Sequence, residues 1–449
     1  MSNVTTPAQF SRPALLAALL LAAATAAADT PPVKRVADGL VAEALESNLG
    51  LAANVATVEQ KLAALDAVRA EYLPQLDLQL RYTESDGGRT IEIPALGLDF
   101  RFLREREQES VLRLTQPLYD PRLGALKRGA GHDYDAARFG VDAYRARLAR
   151  DVRQAYYRWL AAREAIGVLE ATATLARENE RVNESLHRNG KVTRDLLLRA
   201  EAERLEVEQQ LVRARATESL ARRYLNLLCD APLEREPEAA AVADTDLPQL
   251  AAGIPVRDGA RLEDAALGRR AELRQLDAGL AAAGESERAA RAAFKPQLAL
   301  AVDAGTQGAD WGYDDQDPFV MASLVVRFNL WNGGGDRAAL SGARAQSAEL
   351  AANRALAEQQ IRIEVQEALT DLEVAEASLA TAGRRAEAAT TAYAIVAKKR
   401  DLGQVSPAEY LDAQRALTEA RLNENVTRYE ALGALAQVEY AVGGLEQQP

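Results

Sequence analysis

The sequence predicts a mainly helical chain with a small β part, written twice in tandem. Three observations predict this. Ala, Leu, Glu and Arg dominate and aromatics make up only 5%, a mixture that suits long helices with narrow seams better than one thick core. Short segments with a two-residue alternation interrupt the helical pattern. The same order of elements appears in both halves.

The chain opens with a removable-looking leader. Arg12 gives a weakly basic start, and an apolar run follows from Pro13 to Ala28. Ala26-Ala27-Ala28 then offers a small-residue cleavage site before Asp29. The run is short for a membrane span, so residues 1–28 are expected to be a secretory signal peptide. An N-terminal anchor helix is the alternative. The residue right after the cleavage site is Asp29, not a lipid-attachment cysteine.

After Asp29 there is no apolar run long enough for a spanning helix. If the chain enters a membrane it does so with strands, because only helices and closed barrels satisfy backbone groups in lipid. A single cysteine, Cys229, excludes an intramolecular disulfide. The two histidines, His132 and His187, lie far apart, which speaks against a His/Cys metal centre. A net charge of −12 speaks against nucleic acid as a partner. No nucleophile–base arrangement is present, and no cofactor motif is complete. Gly333-Gly334-Gly335 lacks the Lys-Ser/Thr of a phosphate loop and reads as a strand-to-helix hinge, with Gly124 and Gly129 at the comparable junction in the first half.

The duplication rests on three matches in one order. Arg69-Ala70-Glu71-Tyr72-Leu73-Pro74-Gln75-Leu76-Asp77-Leu78 matches Arg291-Ala292-Ala293-Phe294-Lys295-Pro296-Gln297-Leu298-Ala299-Leu300. Leu118-Tyr119-Asp120 matches Leu330-Trp331-Asn332, and Gly190-Lys191-Val192-Thr193 matches Gly403-Gln404-Val405-Ser406. The first offset is 222 residues and the later two are 212 and 213, so one length change near the strands accounts for the difference.

Each half begins with a helix, about Val36–Glu71 and about Arg261–Ala293. A proline ends it and starts a strand. Leu76, Leu78, Leu80 and Tyr82 share one face, and Gln75, Asp77, Gln79 and Arg81 the other. Leu298, Leu300 and Val302 repeat the pattern. A polar loop follows (84–88 and beyond, or 305–317). In the first half the returning strand sets Leu112, Leu114 and Gln116 against Val111, Arg113 and Thr115. In the second it sets Leu324, Val326, Phe328 and Leu330 against Val325, Arg327 and Asn329. Such alternation suits barrel strands, with soluble hairpins wet on one face as the alternative. Four strands cannot close a barrel alone, so membrane strands imply an oligomer. Trp311 and Tyr313 in the second loop suit an outer membrane interface, and Trp159 with Tyr156 and Tyr157 suits helix packing.

A long helical hairpin then follows in each half. Residues 133–188 contain no proline, and a helix of that length spans on the order of 80 Å. Gly190 supplies the left-handed turn position, Thr193 is expected to cap the return helix, and that helix runs to about Leu228. The second hairpin runs from Asp336 to about Arg400. It turns at Gly403 and restarts with a Ser406 cap and Pro407 in the first turn. Its second helix extends to about Ala441. Between the halves, Pro232, Pro237, Pro248 and Pro255 among acidic residues mark a linker. The expected organisation is a leader at 1–28, a first repeat at 29–230, a linker at 231–259, a second repeat at 260–444 and a tail at 445–449.

Taken together, Tyr72-Leu73-Pro74-Gln75-Leu76, Leu330-Trp331-Asn332-Gly333-Gly334, Gly403-Gln404-Val405-Ser406 and Tyr410-Leu411-Asp412-Ala413-Gln414 resemble the TolC family of outer-membrane efflux and secretion channels. The resemblance covers almost all of the chain after the leader. It implies a homotrimer whose chains each give four strands to a twelve-stranded β-barrel in outer-membrane lipid. Long helical hairpins would continue the barrel as a periplasmic tunnel. It also implies a passive duct, not an enzyme, serving tripartite efflux or type I secretion with a periplasmic adaptor and an inner-membrane transporter. No lipid-attachment cysteine is present, which matches the unlipidated branch. The rival readings are the adaptor itself and a periplasmic coiled-coil scaffold, but an adaptor would carry one hairpin where this chain carries two.

By the same resemblance, Glu409 and Asp412 fall where the family places acidic constriction residues; in this sequence Arg199 or Arg400 nearby is expected to neutralise them in part. Their three-residue spacing puts both carboxylates on one helix face. Acids that favour a helix start are the alternative. The corresponding first-half residues are Leu196 and Arg199. The turns Gly190-Lys191-Val192-Thr193 and Gly403-Gln404-Val405-Ser406 are where the resemblance places contact with an adaptor.

Overall fold

The computed structural model describes residues 32–86, 90–93, 97–101, 105–243, 245–252, 258–309 and 317–444. The leader at 1–28, the tail at 445–449, Trp311 and Tyr313 lie outside the described residues. The described chain falls into two compact units. One contains residues 142–270 and 358–444 with the start of the described chain through Ala53, and the other contains 54–141 and 271–357.

The first helix of each repeat is broken once, at equivalent places. Helix α1 (Pro32–Ser47) gives way at Asn48 to α2 (Leu49–Ala70). After Pro74 the chain forms β1 (Gln75–Glu84), a short hairpin of β2 (Thr90–Ile93) and β3 (Leu98–Arg101), and β4 (Arg106–Tyr119). That short hairpin occupies what the sequence presents as polar loop.

Helix α3 (Pro121–Arg188) starts well before the expected Asp133, and Gly124 and Gly129 lie inside it rather than at a junction. The reason is an N-terminal signal stronger than two glycines. The Asp120 carboxylate accepts from the Arg122 amide at 2.8 Å, and Pro121 sits in the first turn, where its missing N–H costs nothing. Helix α4 (Arg194–Leu228) completes the first hairpin.

The linker is only partly irregular. It holds a short helix, α5 (Asp246–Ala251), and Gly259 already opens α6 (Gly259–Arg269), whose start is capped by Asp258 accepting from the Ala260 amide at 3.2 Å. The Tyr156 hydroxyl ties the linker to α3 by donating to the Glu238 carbonyl and accepting from the Ala240 amide, both at 3.1 Å. A second break at Arg270 separates α6 from α7 (Ala271–Ala292). Strands β5 (Gln297–Gly308) and β6 (Asp317–Arg327) then precede the second hairpin, α8 (Gly335–Asp401) and α9 (Pro407–Ala441). Gly333 and Gly334 have φ of 70° and 89°, left-handed values that fit a strand-to-helix hinge.

Four strands join in one antiparallel sheet of order β1-β4-β5-β6. The sequence suggests two separate strand pairs, and the pairing of β4 with β5 unites them. Straight across the sheet, Leu78 meets Leu112 and Ala304, and Leu300 meets Leu324. The other face carries the polar row Asp77, Arg113 and Asp303. Arg113 holds Asp303 with two hydrogen bonds at 2.7 and 3.0 Å. Gly305 sits where β4 passes close by. A Cβ there would overlap the Ser110 carbonyl oxygen and come within 3.1 Å of the Val111 Cα.

In the unit with the sheet, Arg128 and Arg288 converge on the buried Glu285. In the other unit, Trp159 and Tyr156 are fully buried between helices, and the Trp159 indole donates to Glu218 at 2.7 Å. Helix α9 is buried along much of its length. Thr172 and Thr418 share a hydrogen bond at 3.0 Å, Tyr429 donates to Glu164 at 2.7 Å and Arg415 pairs with the buried Glu203. Among the described residues no helix is long and apolar enough to cross a membrane.

Candidate constriction at the tip of the second hairpin

The two hairpin tips are built alike. At the first, Gly190 has φ of 68°, its amide donates to the His187 carbonyl, and Lys191 donates to Leu186 at 2.9 Å. At the second, Gly403 has φ of 70°, its amide donates to Arg400, and Gln404 donates to Lys399 at 2.8 Å. Both are helix ends closed by a left-handed glycine, a conformation that penalises any Cβ.

The restarts differ. Ser406 is extended (φ −73°, ψ 152°) and its hydroxyl accepts from the Glu409 amide at 3.2 Å, with Pro407 in the first turn. Thr193 has the same extended backbone, but its side chain makes no capping bond, contrary to the sequence reading. The hydroxyl is bonded to the Asp195 carboxylate instead, which holds that carboxyl below its ordinary range.

Beyond Ser406, helix α9 divides its faces cleanly. Tyr410, Leu411, Gln414 and Leu417 are buried, while Glu409 and Asp412 are exposed side by side one turn apart. Arg400 does not neutralise them. Its guanidinium lies over the Tyr410 ring, 4.0 Å from the centroid, and its nearest acid is Asp401 at 3.6 Å. The Tyr410 hydroxyl is shared with Tyr393 at 2.8 Å. Burial, then that bond, pushes the Tyr393 hydroxyl above its ordinary range. Arg400, Tyr410 and Tyr393 thus form one stack that fixes the end of α8 against the start of α9.

The structure therefore brings Arg400 to Tyr410 and keeps Glu409 and Asp412 free to face solvent. Lys191, Gln404 and the two tip glycines are exposed, and Val192 and Val405 are half-buried. Tyr410 belongs to one of the motifs that carry the resemblance, but Tyr393 belongs to none. The signal available was a tyrosine on each side of the turn, both within reach of an aromatic stack. Among the described residues no cluster of three or more His, Cys, Asp or Glu is arranged to hold a metal ion. Two exposed carboxylates on a rigid helix start can attract cations but offer no acid–base pair.

The family described as outer membrane efflux protein matches residues 40–228 and 262–444, which is both repeats without the linker. The pyoverdine export outer membrane protein OpmQ of Pseudomonas putida is 24% identical over 329 residues, 69% of this chain and 67% of the relative. The Campylobacter jejuni CmeC outer membrane channel superposes with a TM-score of 0.79 at 18% identity, over 92% of this chain and 87% of that one. The outer membrane protein VceC of Vibrio cholerae gives 0.76 at 18% identity, over 91% and 96%. A match through both repeats leaves the adaptor and scaffold readings without support. The chain belongs to the outer membrane efflux protein family, and its place is the outer membrane.

Proposed function

We propose that three copies of this chain form one passive exit duct. It would receive cargo from an inner-membrane transporter through a periplasmic adaptor. The observation that carries this reading is the sheet. Strands β1 and β6 each have a single neighbour among the described residues. Leu76, Leu78, Leu80, Val320, Leu324 and Val326 expose 56–78% of their surface. An apolar sheet with open edges is stable in lipid only when further copies close it. Two copies would supply about eight strands, a barrel that side chains fill, whereas three supply twelve and leave a bore.

The helices support the same assembly. Leu198, Leu205, Val212, Leu220 and Leu227 lie exposed along α4 at steps of seven or eight residues, an apolar seam left uncovered among the described residues. Ile363, Val374 and Ile395 are also exposed on α8. In this reading Glu409 and Asp412 of three copies form an acidic ring at the end of the tunnel. The exposed tips, Gly190-Lys191-Val192-Thr193 and Gly403-Gln404-Val405-Ser406, meet the adaptor. The mature chain starts at Asp29. Rings of carboxylates concentrate cations and set selectivity.

The test is the mass of the detergent-extracted protein together with its conductance in planar bilayers. A trimer that conducts supports the duct, and a monomer without conductance overturns it.

A further inference from the structure

The polar face of the sheet carries a row of alternating charge. Asp77 on β1 stands opposite Arg113 on β4, which stands opposite Asp303 on β5. Asp303 takes both guanidinium bonds of Arg113. Asp77, on one edge strand, is left without an ion pair of its own among the described residues. On the other edge strand, Arg327 is exposed on the same polar face and also lacks an ion pair. An unpaired acid on one open edge and an unpaired base on the other are complementary when copies join.

The register in which they would join follows from barrel closure. Crossing the sheet from Asp77 through Arg113 and Asp303 arrives at Met321 on β6. Strands tilted by 35–45° and set about 4.7 Å apart are displaced by roughly one to one and a half residues per strand, hence about four to six per four-stranded copy. The displacement must be even, because an odd shift would turn apolar side chains into the lumen. Displaced toward the loops, Asp77 of the next copy would face the very start of β6 or the segment before it, and most of β1 would find no partner. Displaced toward the helices, Asp77 faces Val325 or Arg327 and β1 is paired along its length. Arginine at 327 reaches the carboxylate in either register, directly or diagonally.

We propose that Arg327 of one copy pairs with Asp77 of the next and sets the register in which the barrel closes. This rests on the assembly of copies proposed above. The pair extends the row across each seam, so that Arg327 of one copy and Asp77, Arg113 and Asp303 of the next alternate in sign. Each of the three seams then carries one such pair, and a seam in which Asp77 faces Ser323 or a residue still nearer the loops loses it.

The experiment reverses the charges. Asp77→Arg alone and Arg327→Asp alone should each lower the temperature at which the trimer dissociates in detergent, and the double reversal should restore it. In a Cys229→Ala background, Asp77→Cys should form disulfide-linked chains on non-reducing gels with either Val325→Cys or Arg327→Cys, whichever stands directly opposite, whereas Arg81→Cys with Arg327→Cys should not. This second measurement stands even where a reversed charge prevents folding. Linkage through position 81, or a double reversal no more stable than the singles in a protein that still forms trimers, overturns the pair and leaves the assembly intact. A wild-type protein that is monomeric overturns the assembly itself.

Discussion

The side-chain amide of Asn48 donates to the main-chain carbonyl of Leu228 at 2.9 Å, joining the break in the first repeat's opening helix to the end of its last. The second repeat does the same with different chemistry, since the Arg270 guanidinium donates to the Ala441 carbonyl at 3.3 Å. The break residues are 222 positions apart and the carbonyl residues 213, the offsets of the internal repeat. Helix C-termini leave carbonyls without intrahelical partners, and each repeat supplies a buried donor from the same place. Asn48 also accepts from the Leu51 amide at 2.9 Å, while Arg270 binds Glu364 at 2.9 Å and lies over the Tyr440 ring.

Replacing these donors should be costly in proportion to what each leaves unpaired. Asn48→Ala strands the half-buried Leu228 carbonyl and the Leu51 amide and should cost about 1–3 kcal/mol. Arg270→Ala also takes the cation from Glu364, which keeps only the Gln437 amide, and should cost more, about 3–5 kcal/mol. Thermal unfolding of the two variants should rank them in that order, and equal, small losses would show that the breaks are incidental.

The sheet predicts an asymmetry between its faces. Leu300 is on the apolar face opposite Leu324, and Thr115 is on the polar face opposite Gln75. Leu300→Arg should cost about 2–4 kcal/mol at mid-membrane, and Thr115→Arg, facing water, should be mild. Recovery of assembled protein from membranes measures both, and equal damage from both faces would refute the assignment of faces.

Acid should weaken the unit that carries the sheet through Glu285. Hydrogen bonding and charge from Arg128, joined by Arg288, hold its carboxyl below the ordinary range despite burial. A depressed folded-state pKa stabilises above the unfolded value and loses that contribution as pH falls through the folded one. Glu285→Gln should therefore be less stable than wild type near neutrality, with the gap closing as pH falls below the carboxylate range. Melting temperatures across that range test it, and a gap that widens toward acid would contradict it.

Much of this was legible in the sequence because it rests on local chemistry. The turns at Gly190 and Gly403, the Ser406 cap and the alternation of β1 and β6 each need only a few adjacent residues. What was not legible depended on residues far apart in the chain. Asn48 and Arg270 do not look alike, so their equivalence emerges only when both reach the end of a helix some 170 to 180 positions away. The early start of α3 was readable from Asp120-Pro121 but is masked by the glycines that follow. Thr193 has the sequence of a cap, and only the position of Asp195 diverts its hydroxyl. Arg400 is drawn from the acids by Tyr410, a residue on the other side of the turn.

The acidic ring is the central claim, and single-channel recording tests it most directly. Ser406 holds the helix start through the Glu409 backbone amide, so neutralising the side chains leaves the cap in place. Wild-type channels in planar bilayers should prefer cations and be blocked by divalent ions. Glu409→Gln with Asp412→Asn should lose both properties without loss of assembly. Unchanged selectivity and unchanged divalent block in the double variant would contradict the account and place the constriction elsewhere.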